Sequence, residues 1–193
     1  MDSGEERMMG GFSFEKTSLE GAYLIGPFSS ADSRGYFIKD FEKDIFAGHG
    51  LDMEINESFE SFSRKDVIRG LHFQTGKPQA KLVRAVSGEI LDVIVDLRAG
   101  SETFGRWEGF LLTESNRKSI YVPRGFAHGF GVLSESATVA YKCAGKYGKE
   151  TDTGIVWNDG EIGISWGIKD PLVSEKDRGL MSFREFREQI GGI

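Results

Sequence analysis

Cysteine occurs once in the 193 residues, as Cys143, so no intramolecular disulfide framework can form and a reducing, cytoplasmic setting is expected. Long apolar runs are missing as well. No stretch approaches the ~18–20 residues that a membrane span needs. The opening "MDSGEERMMGG" is acidic and glycine-rich and lacks an apolar core, so it does not read as a signal peptide. Residues 1–12 are expected to be a flexible extension. Positive charge is short: the net charge is −6 and the pI near 5.2, which argues against nucleic acid or an anionic membrane as partner. An anionic small ligand stays open, because a few local cations override the global sign.

What is present is strand. Short β-branched and aromatic runs recur every 8–12 residues or so: 21–26, 36–41, 54–63, 67–74, 81–87, 90–97, 107–112, 118–122, 128–133 and 137–143. That spacing predicts an antiparallel sandwich or barrel rather than βαβ units. Twenty-six glycines supply the turns and bulges. Helical spacing is confined to 42–48 and to a C-terminal stretch from Ser182 through Gln189, where Phe183, Phe186 and Ile190 share a face. With no internal repeat and no low-complexity linker, the chain reads as one all-β domain over 1–193.

Only three histidines are available for chemistry. His49, in "AGHGL", reads as a surface turn residue. His72 and His128 lie in apolar stretches, where each is either a core histidine satisfied by a neighbour or a functional group. The "PRGFAH" of 123–128 looks like half of the cupin metal signature, but its H-x-H partner is absent, and two imidazoles are too few for a zinc or iron site unless distant carboxylates complete it. No metal is expected. Arg69, Lys81 and Arg84 surround His72 in sequence; they suit either a solvated edge strand or a site for phosphate and an oxyanion. Asp92 alternates with Ile90 and Ile94, so it faces an apolar layer and needs a partner. Tyr141 alternates with Val139 and Cys143 as a core or rim residue. Tyr147 reads as exposed, and Asp177, in "SEKDRG", as part of a solvated charge run.

One stretch resists a flat strand. In "VIRGLHFQ" (67–74), strict alternation would put Arg69 with Leu71 and Phe73, and His72 with Gly70 and Gln74. Glycine inside a strand often marks a bulge, so an irregularity at Gly70 is predicted to turn Arg69 and His72 to the same side.

Taken in order, "DSRGYF", "RGLHFQ", "KLVRAVSGEILDVIVDLR", "TFGRWEG", "VPRGFAHGFGVLSE", "AYKC", "WNDGEIGISW" and "SEKD" resemble the dTDP-4-dehydrorhamnose 3,5-epimerases across most of the chain. The resemblance implies a cupin-like jelly roll, or double-stranded β-helix, with a few short helices. It also implies epimerisation of a nucleotide-linked 4-keto-6-deoxyhexose through an enolate, without metal or other cofactor. Carried over by position, His72 is the base, Asp177 its orienting carboxylate, Lys81 the enolate-stabilising cation and Tyr141 the opposing acid. His128 and Asp92 line the pocket, with Tyr147 at its mouth. Arg69 meets the pyrophosphate, and Arg34 and Phe37 of "DSRGYF" belong to the nucleotide contact, Arg34 reaching across a homodimer. Tyr23, Leu24 and Ile25 are expected to extend a partner's sheet.

The departures from the family pattern fall mainly away from those positions. Lys39 stands where glutamate is usual, and Glu57 and Phe59 occupy a Q-x-N pattern; both changes fall where members of the family handle the nucleotide. Gly131, Gly160, Ser165 and Gly167 replace leucine, proline, aspartate and proline. They leave open a different nucleotide-sugar or inversion at one centre only. A non-catalytic sugar-nucleotide binder and a metal-dependent cupin oxygenase are alternatives of other classes.

Overall fold

The computed structural model describes residues 6–51 and 53–193. Seven strands form one sheet in the order β1 (Glu6–Met9), β2 (Phe12–Lys16), β3 (Tyr23–Gly26), β11 (Ser119–Val122), β8 (Ala80–Ser87), β13 (Ser136–Ala144) and β6 (Ile55–Arg64). Five form a second: β10 (Trp107–Thr113), β9 (Glu89–Asp96), β12 (Phe126–Val132), β7 (Ile68–Gln74) and β14 (Asp152–Gly154). All the strand pairs in both sheets are antiparallel. The expected jelly roll is the fold found.

Alternation along the strands sorts side chains into three layers. Val83 and Ala85 of β8, Ile90 and Ile94 of β9, Phe126 and Phe130 of β12 and Val139 of β13 pack between the sheets. On the outer face of the five-stranded sheet, Leu71, Phe73, Val93 and Val95 meet Trp166, Phe183 and Phe186. On the outer face of the seven-stranded sheet, Phe12, Phe14, Ile25 and Leu82 meet Phe46 of α1 (Lys43–Gly48). Because both faces of the central strands are covered, all seven residues of β12 are buried and β9 reads as an almost unbroken apolar run.

The C-terminal helix α3 (Phe183–Gln189) starts where its cap demands. Ser182 accepts from the Glu185 amide while the Glu185 carboxylate reaches back to the Ser182 amide. Phe183 and Phe186 then share the buried face. A shorter helix, α2 (Glu175–Arg178), is capped by Ser174 Oγ, which accepts from the Asp177 amide at 3.0 Å.

Three expectations change at the N-terminal end. Within the described part of residues 1–12, Glu6–Met9 pairs with β2 and Phe12 is fully buried, so the hairpin is part of the sheet and residues 1–5 lie outside the description. That hairpin takes one edge of β3 and β11 takes the other, which leaves Tyr23, Leu24 and Ile25 no free edge to offer a partner. His49 is half-buried rather than a surface residue: its ring stacks on Phe14 at 4.2 Å and meets the edge of Tyr23 at 4.9 Å. By contrast, β4 (Phe28–Asp32) and β5 (Gly35–Lys39) pair only with each other and stand exposed.

Candidate active site

The site is organised by the irregularity in β7. His72 pairs with His128 and Arg69 with Phe130, so three steps along β7 match two along β12, and β7 carries one extra residue. Ile68, Leu71 and Phe73 therefore face outward, and Arg69 and His72 both line the cavity inside the barrel. Gly70 adopts φ +125°, and the Gly70–Leu71 peptide is cis. A Cβ at Gly70 would lie 2.6 Å from the Gly129 Cα, so the two strands can approach here only as glycines. The puzzle of "VIRGLHFQ" resolves as a bulge.

Asp177 arrives from α2, on the far side of the chain in sequence. Its Oδ1 lies 2.8 Å from His72 Nε2, and its Oδ2 accepts from the Gly70 amide at 3.2 Å. Burial pushes this carboxyl up, but the hydrogen bonds from His72 and Gly70 and the imidazole's charge outweigh it and hold the group below its usual range. A carboxylate can only accept, so Nε2 of a neutral His72 carries the hydrogen and Nδ1 keeps the free lone pair.

Around this pair lies a cavity of about 290 Å³ whose wall includes Arg69, His72, Lys81, His128, Tyr141, Glu57 and Tyr147. Lys81 projects from β8 beside Cys143 in the ladder. Burial lowers its ammonium below the ordinary lysine range, against the pull of nearby Cys143, Asp152 and Asp92. Tyr141 projects from β13. Burial, reinforced by the negative charge of Asp92, pushes its phenol well above the ordinary range. Cys143 also lines the cavity, but burial pushes its thiol up to about 11, so it is protonated at neutral pH.

His128 faces the cavity edge-on to Tyr141, with ring centroids 5.8 Å apart. Its Nε2 lies 2.8 Å from Asp92 Oδ2. Asp92 itself is fully buried behind His128 and does not reach the cavity wall, so its expected place as a lining residue is corrected to that of a support. Among the described residues His128 is the hydrogen-bond partner that Asp92 Oδ2 finds beside the apolar Ile90 and Ile94, and Oδ1 has none. At the mouth, half-exposed Tyr147 donates its amide to Glu57 Oε1 at 2.6 Å and its hydroxyl to Asp152 Oδ2 at 3.2 Å. Lys176 Nζ meets the same Asp152 oxygen at 2.7 Å.

Arg34 and Phe37 are not brought to this cavity. They lie on the β4–β5 hairpin, where the Arg34 side chain is 88% exposed and pairs with Asp32 at 2.7 Å. Sequence reasoning missed Asp152, which opens the short strand β14 and whose surrounding "KETDTG" carries no signal of a site. It also registered Phe59 only as a departure from a pattern, whereas Phe59 lines the cavity. A larger, shallower hollow of about 610 Å³ around Trp157, Lys169 and Arg178 contains none of the residues singled out above. Among the described residues no three His, Cys, Asp or Glu side chains converge to hold a metal ion.

An imidazole–carboxylate pair, a buried amine and a protonated phenol share this cavity inside a jelly-roll barrel, an arrangement chemically capable of proton transfer. The family model described as dTDP-4-dehydrorhamnose 3,5-epimerase matches residues 16–185. The dTDP-4-dehydrorhamnose 3,5-epimerase of Methanothermobacter thermautotrophicus is 48% identical over 92% of this chain and 97% of its own. Among solved structures, the dTDP-4-dehydrorhamnose 3,5-epimerase of Elizabethkingia anophelis superposes with a TM-score of 0.87 at 42% identity, over 91% of this chain and 98% of that one. The Legionella pneumophila dTDP-6-deoxy-D-glucose-3,5-epimerase, solved with dTDP-4-keto-L-rhamnose, gives 0.86 at 36% identity, over 90% and 93%. The chain belongs to the dTDP-4-dehydrorhamnose 3,5-epimerase family.

Proposed function

We propose that this epimerase inverts C3 and C5 of dTDP-4-dehydro-6-deoxyglucose to give dTDP-4-dehydrorhamnose. The observation that carries the reading is the His72–Asp177 pair opening on the same cavity as Lys81 and Tyr141. The C4 ketone acidifies the hydrogens on its neighbouring carbons. His72 Nδ1 removes one, and Asp177 stabilises the imidazolium that forms. The electron pair moves to O4, where Lys81 supplies charge placed in advance. Tyr141 then returns a proton to the opposite face. It is suited to wait as the acid, since its phenol stays protonated far above neutral pH. One proton leaves and one returns at each centre, so the chemistry balances with no cofactor.

Arg69 is the cavity cation assigned to the pyrophosphate; its guanidinium is held by Ser63 Oγ at 2.9 Å and the Phe62 carbonyl at 3.3 Å. His128 and Tyr147 complete the sugar and mouth contacts, with Glu57 holding the Tyr147 backbone. Arg34 and Phe37 serve a neighbouring subunit. The β4–β5 hairpin carries Phe28, Tyr36 and Phe37 exposed by 37%, 65% and 55%, an apolar surface that a homodimer would cover. Light scattering on the purified protein should give twice the chain mass, and a stable monomer would contradict this role. A cytoplasmic location suits the sugar-nucleotide substrate and the buried, unpaired Cys143.

The test is incubation with dTDP-4-dehydro-6-deoxyglucose in deuterated water, followed by NMR. Deuterium is expected at both C3 and C5 of an inverted product. Deuterium at one carbon only would make the chain a single-centre epimerase. No exchange would leave a binding protein or an enzyme for another nucleotide-sugar.

A further inference from the structure

Phe59 is a large aromatic side chain that remains half exposed on the edge strand β6, yet it is not idle. Its neighbour across the β6–β13 ladder is Tyr141. The two rings stack face to face, with centroids 4.8 Å apart and planes 15° from parallel. The edge of the same phenol ring meets His128 at 80°. Tyr141 is thus bounded by a flat apolar face on one side and by an imidazole anchored to Asp92 on another. His128 is fixed by a buried bond, whereas Phe59 is a ring in the cavity wall with solvent beyond it.

We propose that Phe59 is a positioning residue for Tyr141: its ring holds the phenol in the plane from which the hydroxyl delivers a proton to the enolate. The proposal rests on Tyr141 being the acid. A tyrosine hydroxyl is aimed by two torsions, and an offset-stacked ring restricts both without touching the oxygen. In this chain an aromatic contact does the aiming.

The consequence is specific because the enolate has two fates. After His72 has taken the proton, the imidazolium can exchange it with solvent through its 31% exposed side chain. It can then return a deuteron to the same face, which gives labelled but uninverted substrate. Alternatively Tyr141 transfers its proton to the opposite face, leaving a phenolate that water reprotonates while His72 releases its proton to solvent. The first route gives exchange alone and the second gives inversion. Disturbing only the acid's aim shifts the partition between them, whereas general damage to the site lowers both together.

The experiment compares wild type with Phe59→Leu and Phe59→Tyr, using dTDP-4-dehydro-6-deoxyglucose in deuterated water. NMR reads label in residual substrate against formation of inverted product in the same sample. Phe59→Leu removes the ring face and is expected to slow inversion roughly two- to tenfold, the range set by an aromatic pair. Labelling of uninverted substrate should persist, so the ratio of exchange to inversion rises. Phe59→Tyr keeps the ring and should keep the wild-type ratio. An unchanged ratio in Phe59→Leu, or a ratio that rises equally in Phe59→Tyr, overturns the proposal. Tyr141→Phe separates the two readings. If it loses inversion while the Phe59→Leu ratio stays at wild type, the positioning role alone fails. If it inverts at the wild-type rate, the acid assignment fails and the positioning role falls with it.

Discussion

The barrel holds two imidazole–carboxylate pairs that are alike in geometry and unlike in setting. His72–Asp177 and His128–Asp92 both close at 2.8 Å, and the two histidines face each other across the β7–β12 ladder. The side chains of the first pair are 31% and 6% exposed, those of the second 4% and 0%. Only the first is open enough to accept a proton from a substrate and pass it to water. The second buries a carboxylate among isoleucines, where losing its partner strands a charge. The difference comes from the backbone. The extra residue in β7 turns His72 into the cavity, while β12 keeps a regular pairing with β9 that brings His128 beside Asp92. The proposed function therefore gives the same two side-chain types proton transfer in one place and support of the wall in the other.

Substitutions at the two sites should separate these jobs. The largest effect is expected for His72→Ala, which should lower kcat by roughly 10²- to 10⁴-fold. Its melting temperature should move by only ~2–4 °C, the scale of about 1 kcal/mol in a chain of this size. The mirror experiment, His128→Ala, should cost roughly 3 kcal/mol of stability by leaving Asp92 unpaired, or about 6–12 °C in melting temperature. If His128→Ala melted like wild type, the buried pair would not be the structural one. A smaller effect concerns the cation that shares the cavity of His72 and His128. In the proposed mechanism Lys81 acts while protonated, and burial lowers its ammonium, so the rate should fall on the alkaline side below the ~10.4 of a free lysine. Tyr141 shifts the other way and stays protonated there, so the proposed mechanism attributes this limb to Lys81. Lys81→Arg, slower overall, should carry its activity to higher pH because guanidinium does not deprotonate in that range. A limb unmoved in Lys81→Arg would assign it elsewhere.

Much of this architecture was legible in the sequence. The strands that pack on both faces announce themselves as apolar runs, and the glycine inside "RGLHFQ" marks the bulge that builds the site. Asp92, alternating with isoleucines, had to find a partner and did. What stayed hidden depends on contacts between distant segments. Asp177 looks like any residue of a solvated charge run, because the helix that buries it packs against β7, 105 residues earlier in the chain. The family resemblance supplied it; local chemistry did not. Strand β4, "FSSAD", is exposed along its whole length, so no burial pattern was there to read. His49 was misread because the ring that stacks on it, Phe14, comes from a strand whose pairing the sequence did not reveal.

The contrast between the two pairs is tested most directly by chemical rescue. His72→Ala and His128→Ala would each be incubated with dTDP-4-dehydro-6-deoxyglucose in deuterated water, with and without added imidazole, and deuterium entry at C3 and C5 followed by NMR. An open base can be replaced from solution and a buried support cannot. Imidazole should restore exchange in His72→Ala, and any loss in His128→Ala should stay unrescued. Exchange that survives in His72→Ala without imidazole, or that imidazole restores in His128→Ala alone, would show that the base had been assigned to the wrong pair.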